Sequence, residues 1–326
     1  MRDTILYGDC RKTLGTLHAQ ITTGIAERPR MCVTSPPYYG LRDYGGEESQ
    51  IGQEQSPEEF IDELVKVFRE VRNVLTDDGT CWVNLGDSYY NYRKDGCIPK
   101  QSVAKNRQDL PKTTPRRSNK LVGYKEKDLI GIPWMFAFAM RADGWYLRQD
   151  IIWNKPNPMP ESVRDRCTKS HEYIFLFSKN KKYFYDNEAI KEPAKDWGTR
   201  DRTNGKYHNP GTGLQPHSGL TKSYEKKNKR SVWTVNKKPY KGAHFATYPS
   251  ELIEPCILAG SERGDVVLDP FMGSGTTAAV AKSLGRNYVG CELHEDYGKL
   301  IQRRVNEYQP VSEVAQEPPI NILDIV

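Results

Sequence analysis

A glycine-rich stretch follows a short apolar run near the carboxyl end of the chain. It comprises Asp269 to Thr277, in the order Asp-Pro-Phe-Met-Gly-Ser-Gly-Thr-Thr, between a predicted strand and a predicted helix. Gly273 and Gly275 let the backbone approach a ligand closely and adopt positive φ. The amides at the start of the helix favour an anionic group such as a carboxylate. A tight strand–helix turn is the alternative, and the phosphate-binding pattern GxxxxGK[ST] does not match.

An acidic residue, Glu292, ends the next predicted strand, about 20 residues beyond the glycines. A carboxylate at this position of a doubly wound sheet accepts hydrogen bonds from the hydroxyls of a ribose. The loop and the carboxylate together indicate a ligand that contains adenosine, without specifying which one.

A second cluster, Thr34 to Tyr38 with the sequence Thr-Ser-Pro-Pro-Tyr, directly follows another predicted strand. Pro36 and Pro37 fix an extended backbone and leave carbonyls without competing amides. Ser35 offers a hydroxyl and Tyr38 an aromatic face. Such a cluster can hold a planar ring and accept hydrogen bonds from an amine, although an ordinary proline-rich turn explains it better when it is taken alone.

Hydrophobic periodicity predicts the elements that must position these residues. Strands are predicted over 5–7, 31–34, 81–85, 146–153, 173–177, 266–269 and 288–292. Helices are predicted over 57–75, 133–142, 248–259, 276–284 and a last stretch that ends near 307. This alternation favours an α/β fold with a doubly wound, mainly parallel, seven-stranded sheet, in which ligands bind at the carboxyl ends of the strands.

Two basic segments stand out against an acidic remainder. Residues 91–127 contain eleven lysines and arginines but three acidic residues, and residues 191–241 contain thirteen against four. The net charge of the whole chain is only +6. Basic segments on an acidic body are typical of nucleic-acid-binding proteins, and solvated loops are the alternative.

Composition excludes several classes of protein. No run of about 18 apolar residues predicts a membrane span, and the first ten residues lack the layout of a signal peptide. The seven cysteines are dispersed without a CxxC pair. We therefore expect reduced thiols in a cytoplasm, without disulfides or structural zinc.

The two motifs and their order resemble the DNA amino-methyltransferases of the circularly permuted β class, in which the Thr-Ser-Pro-Pro-Tyr motif precedes the glycine-rich loop. Gly8-Asp9 resembles the acid that contacts adenine in that family. Further similar blocks are Gly86-Asp87, Trp145 to Pro160, His171-Glu172-Tyr173 and His244 to Pro249. A long basic insert at 88–127, interpreted as a loop, departs from generic members.

The resemblance implies a Rossmann-like methyltransferase fold and transfer of a methyl group from S-adenosyl-L-methionine to an exocyclic amine of a base flipped out of double-stranded DNA. It assigns catalysis to Ser35, Pro36, Pro37 and Tyr38. The Ser35 hydroxyl and the Pro36 carbonyl accept hydrogen bonds from the N–H groups of the amine, and Tyr38 stacks on the ring. No metal is expected. The cofactor residues that it implies are Asp9, Cys10, Thr34, His244, Asp269, Phe271, Gly273, Ser274, Gly275, Thr276 and Glu292.

Alternatives from the same and other classes stay open. The resemblance implies cytosine N4 as the target, because family members with serine at the position of Ser35 usually act on it, and adenine N6 is the second candidate. A non-catalytic DNA-binding protein of the same fold is the third, and the intact motifs argue against it. A cysteine-nucleophile mechanism at Cys256 is disfavoured, because Cys256 lies in a predicted helix and suits a core thiol.

The motif order also suggests a division of the chain. Residues 1–185 are expected to form the catalytic half, 186–241 a small target-recognition region, 242–310 the cofactor-binding half and 311–326 a tail. Phosphate contacts are assigned to Arg116, Arg117 and Lys120 in the insert. Base reading is assigned to Arg200, Arg202, Asn204, Asn209 and Gln215. A restriction endonuclease is a candidate partner, the chain is expected to be a monomer or homodimer, and the expected location is the cytoplasm of a bacterial, archaeal or phage-infected cell.

Overall fold

The strands of the fold come from both ends of the chain. The computed structural model describes residues 1–40, 50–90, 121–194, 225–237 and 248–308. Its strands are β1 (Thr4–Tyr7), β2 (Met31–Thr34), β3 (Thr80–Leu85), β4 (Tyr146–Asn154), β5 (His171–Ser178), β6 (Glu192–Pro193), β7 (Lys226–Lys227), β8 (Val232–Thr234), β9 (Val266–Asp269) and β10 (Asn287–Glu292). Its helices are α1 (Cys10–Thr22), α2 (Pro57–Val74), α3 (Ile132–Ala142), α4 (Ser250–Gly260), α5 (Thr276–Ser283) and α6 (Gly298–Glu307).

One large sheet has the strand order β1-β10-β9-β2-β3-β5-β4-β8. Neighbouring strands run parallel except beside β5, which is antiparallel to both β3 and β4. The doubly wound, mainly parallel sheet is therefore confirmed, with one strand more than the seven predicted. The chain passes from β9 to β10 in one direction across the sheet and from β2 to β3 in the other. The topological switch point consequently lies between β9 and β2.

Helices cover both faces of this sheet. Helices α1, α2 and α3 pack on one face in a core that includes Phe68, and α4, α5 and α6 pack on the other in a core that includes Leu252. Strand β3 serves both cores, because Cys81 and Val83 belong to the first and Trp82 to the second. Burial on both faces explains why the strands are nearly continuous apolar runs.

Helix α1 is the helix of the described residues that the hydrophobic pattern does not predict. Only three of its 13 residues are buried, namely Cys10, Leu14 and Leu17, so its periodic signal is weak. Its start is fixed by Asp9, whose side chain accepts a hydrogen bond from the Arg11 amide at 2.9 Å. The cap places Asp9 directly after β1, at the carboxyl edge of the sheet.

The described part of the 186–241 region is an extension of the large sheet. Strand β8 pairs in parallel with β4 at the sheet edge. Trp233 of β8 is 6% exposed, and its indole N–H donates to the Arg230 carbonyl at 2.7 Å. Strands β6 and β7 form a separate antiparallel ribbon. Residues 195–224 lie outside the described residues.

The basic insert is anchored at both ends, and its described residues, 88–90 and 121–127, form turns and irregular backbone apart from one isolated bridge between Tyr89 and Leu129, as the prediction of a loop expects. The Tyr90 amide donates to the Asp128 carbonyl at 2.8 Å, and the Lys127 amide donates to the Tyr90 carbonyl at 2.9 Å. The Leu121 amide donates to the Tyr90 hydroxyl at 3.0 Å, and both residues are buried. Residues 91–120 lie outside the described residues.

Trp233→Ala should lower the free energy of unfolding by about 3–5 kcal/mol, because it removes a large buried side chain from the second core. Val232→Ala is the matched control. Val232 lies on the same strand but is 56% exposed, so its loss should change stability by less than about 0.5 kcal/mol. Urea denaturation measures both values. Equal stability of Trp233→Ala and the unmodified protein would contradict the attachment of β8 to the core.

Candidate active site

A cavity of about 760 Å³ lies at the carboxyl edge of the parallel strands. Residues directly after β1, β9 and β10 form one part of its wall, and residues after β2 and β4 form the other. Strand β5 contributes its first residues, because it runs antiparallel and so begins at this edge. The cavity therefore spans the switch point, as expected for a ligand site in a doubly wound sheet.

Glu292 presents a largely buried carboxylate to the cavity. Its Oε2 accepts a hydrogen bond from the Gly273 amide at 2.7 Å, and its Oε1 accepts one from the His294 amide at 3.1 Å. Burial raises the pKa of Glu292, because the charged form loses hydration, and the two amides oppose this effect. A carboxylate can accept about four hydrogen bonds. Acceptor capacity thus remains for the hydroxyls of a ribose, and the site fits the adenosine part of S-adenosyl-L-methionine.

The glycine-rich loop contributes Phe271, Gly273, Ser274 and Thr276 to the cavity wall. Gly275 does not line the cavity, contrary to expectation. Its φ is 81°, and its amide donates to the Met272 carbonyl at 3.0 Å.

A Cβ atom added at Gly275 would lie 2.9 Å from the Ile301 side chain of α6. Glycine at this position therefore makes room for α6 and permits the left-handed turn, and it does not make room for a ligand.

Thr34 and Asp269 also lie behind the cavity wall, where the sequence predicts cofactor contacts. Both are buried, and the Thr34 hydroxyl donates to Oδ1 of Asp269 at 2.6 Å. The Phe271 amide donates to the same oxygen at 3.0 Å. Oδ2 accepts hydrogen bonds from the hydroxyls of Tyr248, at 3.3 Å, and Thr277. Asp269 consequently holds together the segments that form the cavity, and its predicted contact with the cofactor stays a prediction.

Asp9 and Cys10 line the cavity beside β10. The Arg11 guanidinium donates to both oxygens of Asp9 and pairs with Glu63 at 2.5 Å. Burial opposes ionisation of Asp9, but the hydrogen bonds from Arg11 outweigh it and lower the pKa. Burial raises the pKa of the Cys10 thiol, which stays neutral. Asp9 thus provides an ionised acceptor, and Cys10 an apolar wall.

The four residues assigned to catalysis, Ser35 to Tyr38, all line the cavity. The Tyr38 ring lies against Gly86, where an added Cβ atom would lie 2.7 Å from Cε2 of the ring. The Tyr38 hydroxyl donates to Oε2 of Glu172 at 2.7 Å. Burial and the neighbouring Glu172 charge raise the pKa of Tyr38, so its hydroxyl remains a donor. The ring is held at its Cε2 edge atom and at its hydroxyl.

Glu172 joins blocks that are distant in the chain. Its Oε1 pairs with the Lys155 ammonium, and its Oε2 also accepts a hydrogen bond from Nδ2 of Asn84 at 3.3 Å. Lys155 is 7% exposed and lies 4.1 Å from the centroid of the Trp153 ring. Burial lowers the pKa of Lys155, whereas Glu172 opposes this. Tyr38 is therefore fixed by a buried ion pair.

The sequence identifies the blocks that contain Lys155 and Glu172 but does not predict their contact. The only available signal is a charge after β4 and an opposite charge at the start of β5. It becomes informative once these strands pair, with Asn154 opposite His171.

Several cavity residues are absent from the predicted set. They are Gly8, Gln50, Ile51, Asn84, Trp153, Lys155, Asn157, Met159, Glu172, Lys237, Tyr248, Pro270, Met272, Cys291, Leu293, His294 and Tyr297. Leu293 and His294 directly follow Glu292, so their position after a strand is a usable signal. Other predicted residues lie outside the described part of the chain, namely His244, Arg116, Arg117, Lys120, Arg200, Arg202, Asn204, Asn209 and Gln215.

The described ranges contain no group of three or more histidine, cysteine and acidic side chains arranged to hold a metal ion. None of their helices is both long enough and apolar enough to span a membrane.

A cavity at the switch point of a doubly wound sheet, with Glu292 placed to accept the hydroxyls of a ribose, fits a methyltransferase of the Rossmann-like class. The family model for DNA methylases of the N6/N4 type matches residues 30–303. The chain therefore belongs to this DNA methyltransferase family, and its cofactor is S-adenosyl-L-methionine.

Curated relatives agree with the family match. The type II methyltransferase M.XycI of Xanthomonas campestris pv. cyanopsidis is 49% identical over 276 residues, which cover 85% of this chain and 81% of that protein. M.SmaI of Serratia marcescens is 46% identical over 301 residues, which cover 92% of this chain and 90% of that protein. The resemblance inferred from the motifs is thereby confirmed.

Solved structures share the fold at low sequence identity. The cytosine-N4-specific PvuII DNA methyltransferase has a TM-score of 0.55 at 16% identity, covering 95% of this chain and 94% of that one. A putative DNA modification methylase of Thermus thermophilus, complexed with S-adenosyl-L-methionine, has a TM-score of 0.55 at 23% identity. The match covers 93% of this chain and 95% of that one. The predicted methyltransferase fold is confirmed.

Glu292→Ala should weaken binding of S-adenosyl-L-methionine by about 1–3 kcal/mol, the range for losing hydrogen bonds to a charged group. Glu295→Ala is the control, because Glu295 is exposed and does not line the cavity. Isothermal titration calorimetry measures both affinities, and circular dichroism checks the fold. Unchanged affinity in Glu292→Ala would contradict the adenosine site.

Proposed function

We propose that this enzyme methylates the N4 amine of cytosine in a base flipped out of double-stranded DNA. The observation that supports this target is Ser35, which stands first in the Ser-Pro-Pro-Tyr motif and lines the cavity. Serine at this position typically marks cytosine enzymes in the family, whereas aspartate or asparagine marks adenine enzymes. A base within a duplex cannot present its amine to such a cavity, so the target must leave the stack.

The acceptors beside the target explain how the amine is activated. The lone pair of an exocyclic amine is delocalised into the ring, so the nitrogen is a poor nucleophile. Ser35 and the Pro36 carbonyl accept hydrogen bonds from its two N–H groups, which draws the nitrogen toward a tetrahedral shape and localises the lone pair. Neither Pro36 nor Pro37 has an amide proton that would compete for the Ser35 oxygen.

The cofactor supplies an already activated methyl group on a sulfonium. The protein therefore contributes alignment and removal of water for an in-line displacement. Tyr38 stacks on the target ring and limits its orientation. Glu172 acts as a positioning residue, because it holds the Tyr38 hydroxyl while Gly86 leaves room for the ring. Preorganisation of this kind keeps the amine in line with the methyl group.

The identity of the methylated base tests the proposed target. The enzyme is expressed in a host that lacks DNA methylation, and the DNA is digested to nucleosides for mass spectrometry. We expect N4-methylcytosine. N6-methyladenine alone would overturn the cytosine target but retain the enzyme class. Unmodified DNA together with normal cofactor binding would instead favour a non-catalytic DNA-binding protein.

Ser35→Ala should lower turnover by about 10- to 100-fold, because it removes one hydrogen-bond acceptor worth roughly 1–3 kcal/mol in the transition state. Affinity for S-adenosyl-L-methionine should stay nearly unchanged, since Ser35 contacts the base. Ser162→Ala, at an exposed position outside the cavity, is the control. Single-turnover kinetics and calorimetry separate the two effects. Loss of cofactor binding in Ser35→Ala would show that the base and cofactor sites are wrongly divided.

We further propose that the 186–241 region reads the DNA sequence. Its described part reaches the cavity, because Lys237 lines the wall next to Asn157. The Lys237 amide donates to Oδ1 of Asn157 at 3.0 Å, and Nδ2 of Asn157 donates to the Lys237 carbonyl at 3.1 Å. The basic character of residues 191–241 supports contact with DNA at this side of the enzyme.

The two basic segments should respond differently to substitution. Arg116→Ala with Arg117→Ala should weaken binding to all DNA alike and reduce the slope of log affinity against log salt by about one per lost phosphate contact. Arg200→Ala or Arg202→Ala should relax specificity at one position of the site by about 1–3 kcal/mol. Salt-dependent binding assays and sequencing of the modified sites measure these effects. An unchanged site after deletion of 200–230 would reject the recognition role.

The type II relatives favour a protective role beside a restriction endonuclease. DNA modified by this enzyme should then resist an endonuclease that recognises the same sequence, and digestion of modified plasmid tests this. A monomer or homodimer in the cytoplasm stays a prediction.

A further inference from the structure

Met159 lies at the opening of the cavity with most of its side chain in solvent. Its exposed fraction is 72%, and it contributes to the cavity wall. Among the described residues, the other large hydrophobic side chains that line the cavity are not exposed. A single exposed methionine needs no explanation by itself. Met159, however, lies at the entry of a base-binding site, where an apolar side chain can contact the DNA.

The backbone that carries Met159 is unusually constrained. Prolines occupy positions 156, 158 and 160, in the segment that follows β4. Each proline fixes its own φ and restricts the preceding residue to extended conformations. Asn157 is tied to the Lys237 backbone by the two hydrogen bonds described above. Met159 is therefore presented to solvent from a rigid support.

An extruded base leaves a gap in the DNA stack and an unpaired partner base. Apolar side chains, methionine among them, are used by DNA-bending proteins as wedges between bases. A target base that enters this cavity must pass its opening, so the gap in the duplex faces that opening. Met159 is the exposed apolar side chain of the cavity wall, and Lys237, which lines the same cavity, suits the phosphate backbone.

We propose that Met159 enters the DNA stack at the position that the target base vacates and so stabilises the flipped state. This inference rests on the proposed flipping of the target base. The role of Met159 is to position the DNA, since the methyl transfer itself requires the acceptors at Ser35 and Pro36. Met159 could instead cover the base within the cavity. The two roles predict different results for DNA in which the target base has no pairing partner.

The test uses duplexes with pyrrolocytosine at the target position of the sequence that the enzyme modifies. One duplex has guanine opposite the target, and the other has an abasic site there. Fluorescence on binding reports flipping, and single-turnover methylation of matching cytosine duplexes reports the rate. Met159→Ala is compared with Met159→Leu, which keeps an apolar side chain. Val163→Ala is the matched control, because Val163 is 42% exposed but does not line the cavity.

We expect Met159→Ala to lower the fluorescence increase and the methylation rate on the paired duplex by about tenfold, since unpairing and unstacking then lack support. The abasic partner should restore both, because the target is no longer paired. Met159→Leu and Val163→Ala should behave like the unmodified enzyme, and cofactor affinity should not change in any variant.

Three outcomes would decide against parts of this scheme. If the unmodified enzyme gave no fluorescence increase on either duplex, the proposed base flipping itself would fail. If flipping occurred and Met159→Ala matched the unmodified enzyme on the paired duplex, the wedge would be rejected. An equal defect on both duplexes would also reject the wedge, because it would place Met159 over the base inside the cavity.

Discussion

The buried carboxylate of Asp269 is the interaction on which the rest of the site depends. It lies at the switch point, at the end of β9, and a buried charge or acid requires hydrogen-bonding partners. Donors from four segments meet it: Thr34 at the end of β2, Phe271 in the glycine-rich loop, Tyr248 before α4 and Thr277 in α5. One carboxylate therefore fixes the start of the base motif relative to the start of the cofactor loop.

A second constraint is the reversed direction of β5. A parallel strand in this place would present its carboxyl end to the cavity, whereas β5 presents its first residues. Glu172 thereby reaches Tyr38 and Lys155, although 134 and 17 positions separate it from them in the chain. Because Glu172, Lys155 and Tyr38 are all shielded from water, the contacts among them are stronger than they would be at the surface. The base side of the cavity is consequently held by contacts between β5, the segment after β4 and the motif that contains Tyr38.

Sequence reasoning succeeds here where the signal is local and fails where it depends on pairing or direction. The strands and the two motif loops follow from apolar runs that end at glycine or proline. Thr34 and Ser35 are neighbours in the motif, yet adjacent side chains in extended backbone point to opposite sides, so only Ser35 reaches the cavity. Strand β8 has three residues in a basic, aperiodic segment and gains its conformation from β4, and the contact of Glu172 with Lys155 likewise depends on strand pairing.

The base side of the cavity offers mainly backbone hydrogen-bond acceptors, whereas the cofactor side offers backbone donors. This difference suits the amine of the target base and the anionic group of the cofactor. Prolines line or flank the base side, at 36 and 37 and again at 156, 158 and 160. They carry carbonyl acceptors and no amide donors, which matches an amine that offers N–H groups. The cofactor side instead has the glycine-rich start of α5, whose amides suit an anionic amino-acid group. An anion would therefore gain little on the base side and an amine would gain little at the helix start, so each group would have one favourable place in the cavity.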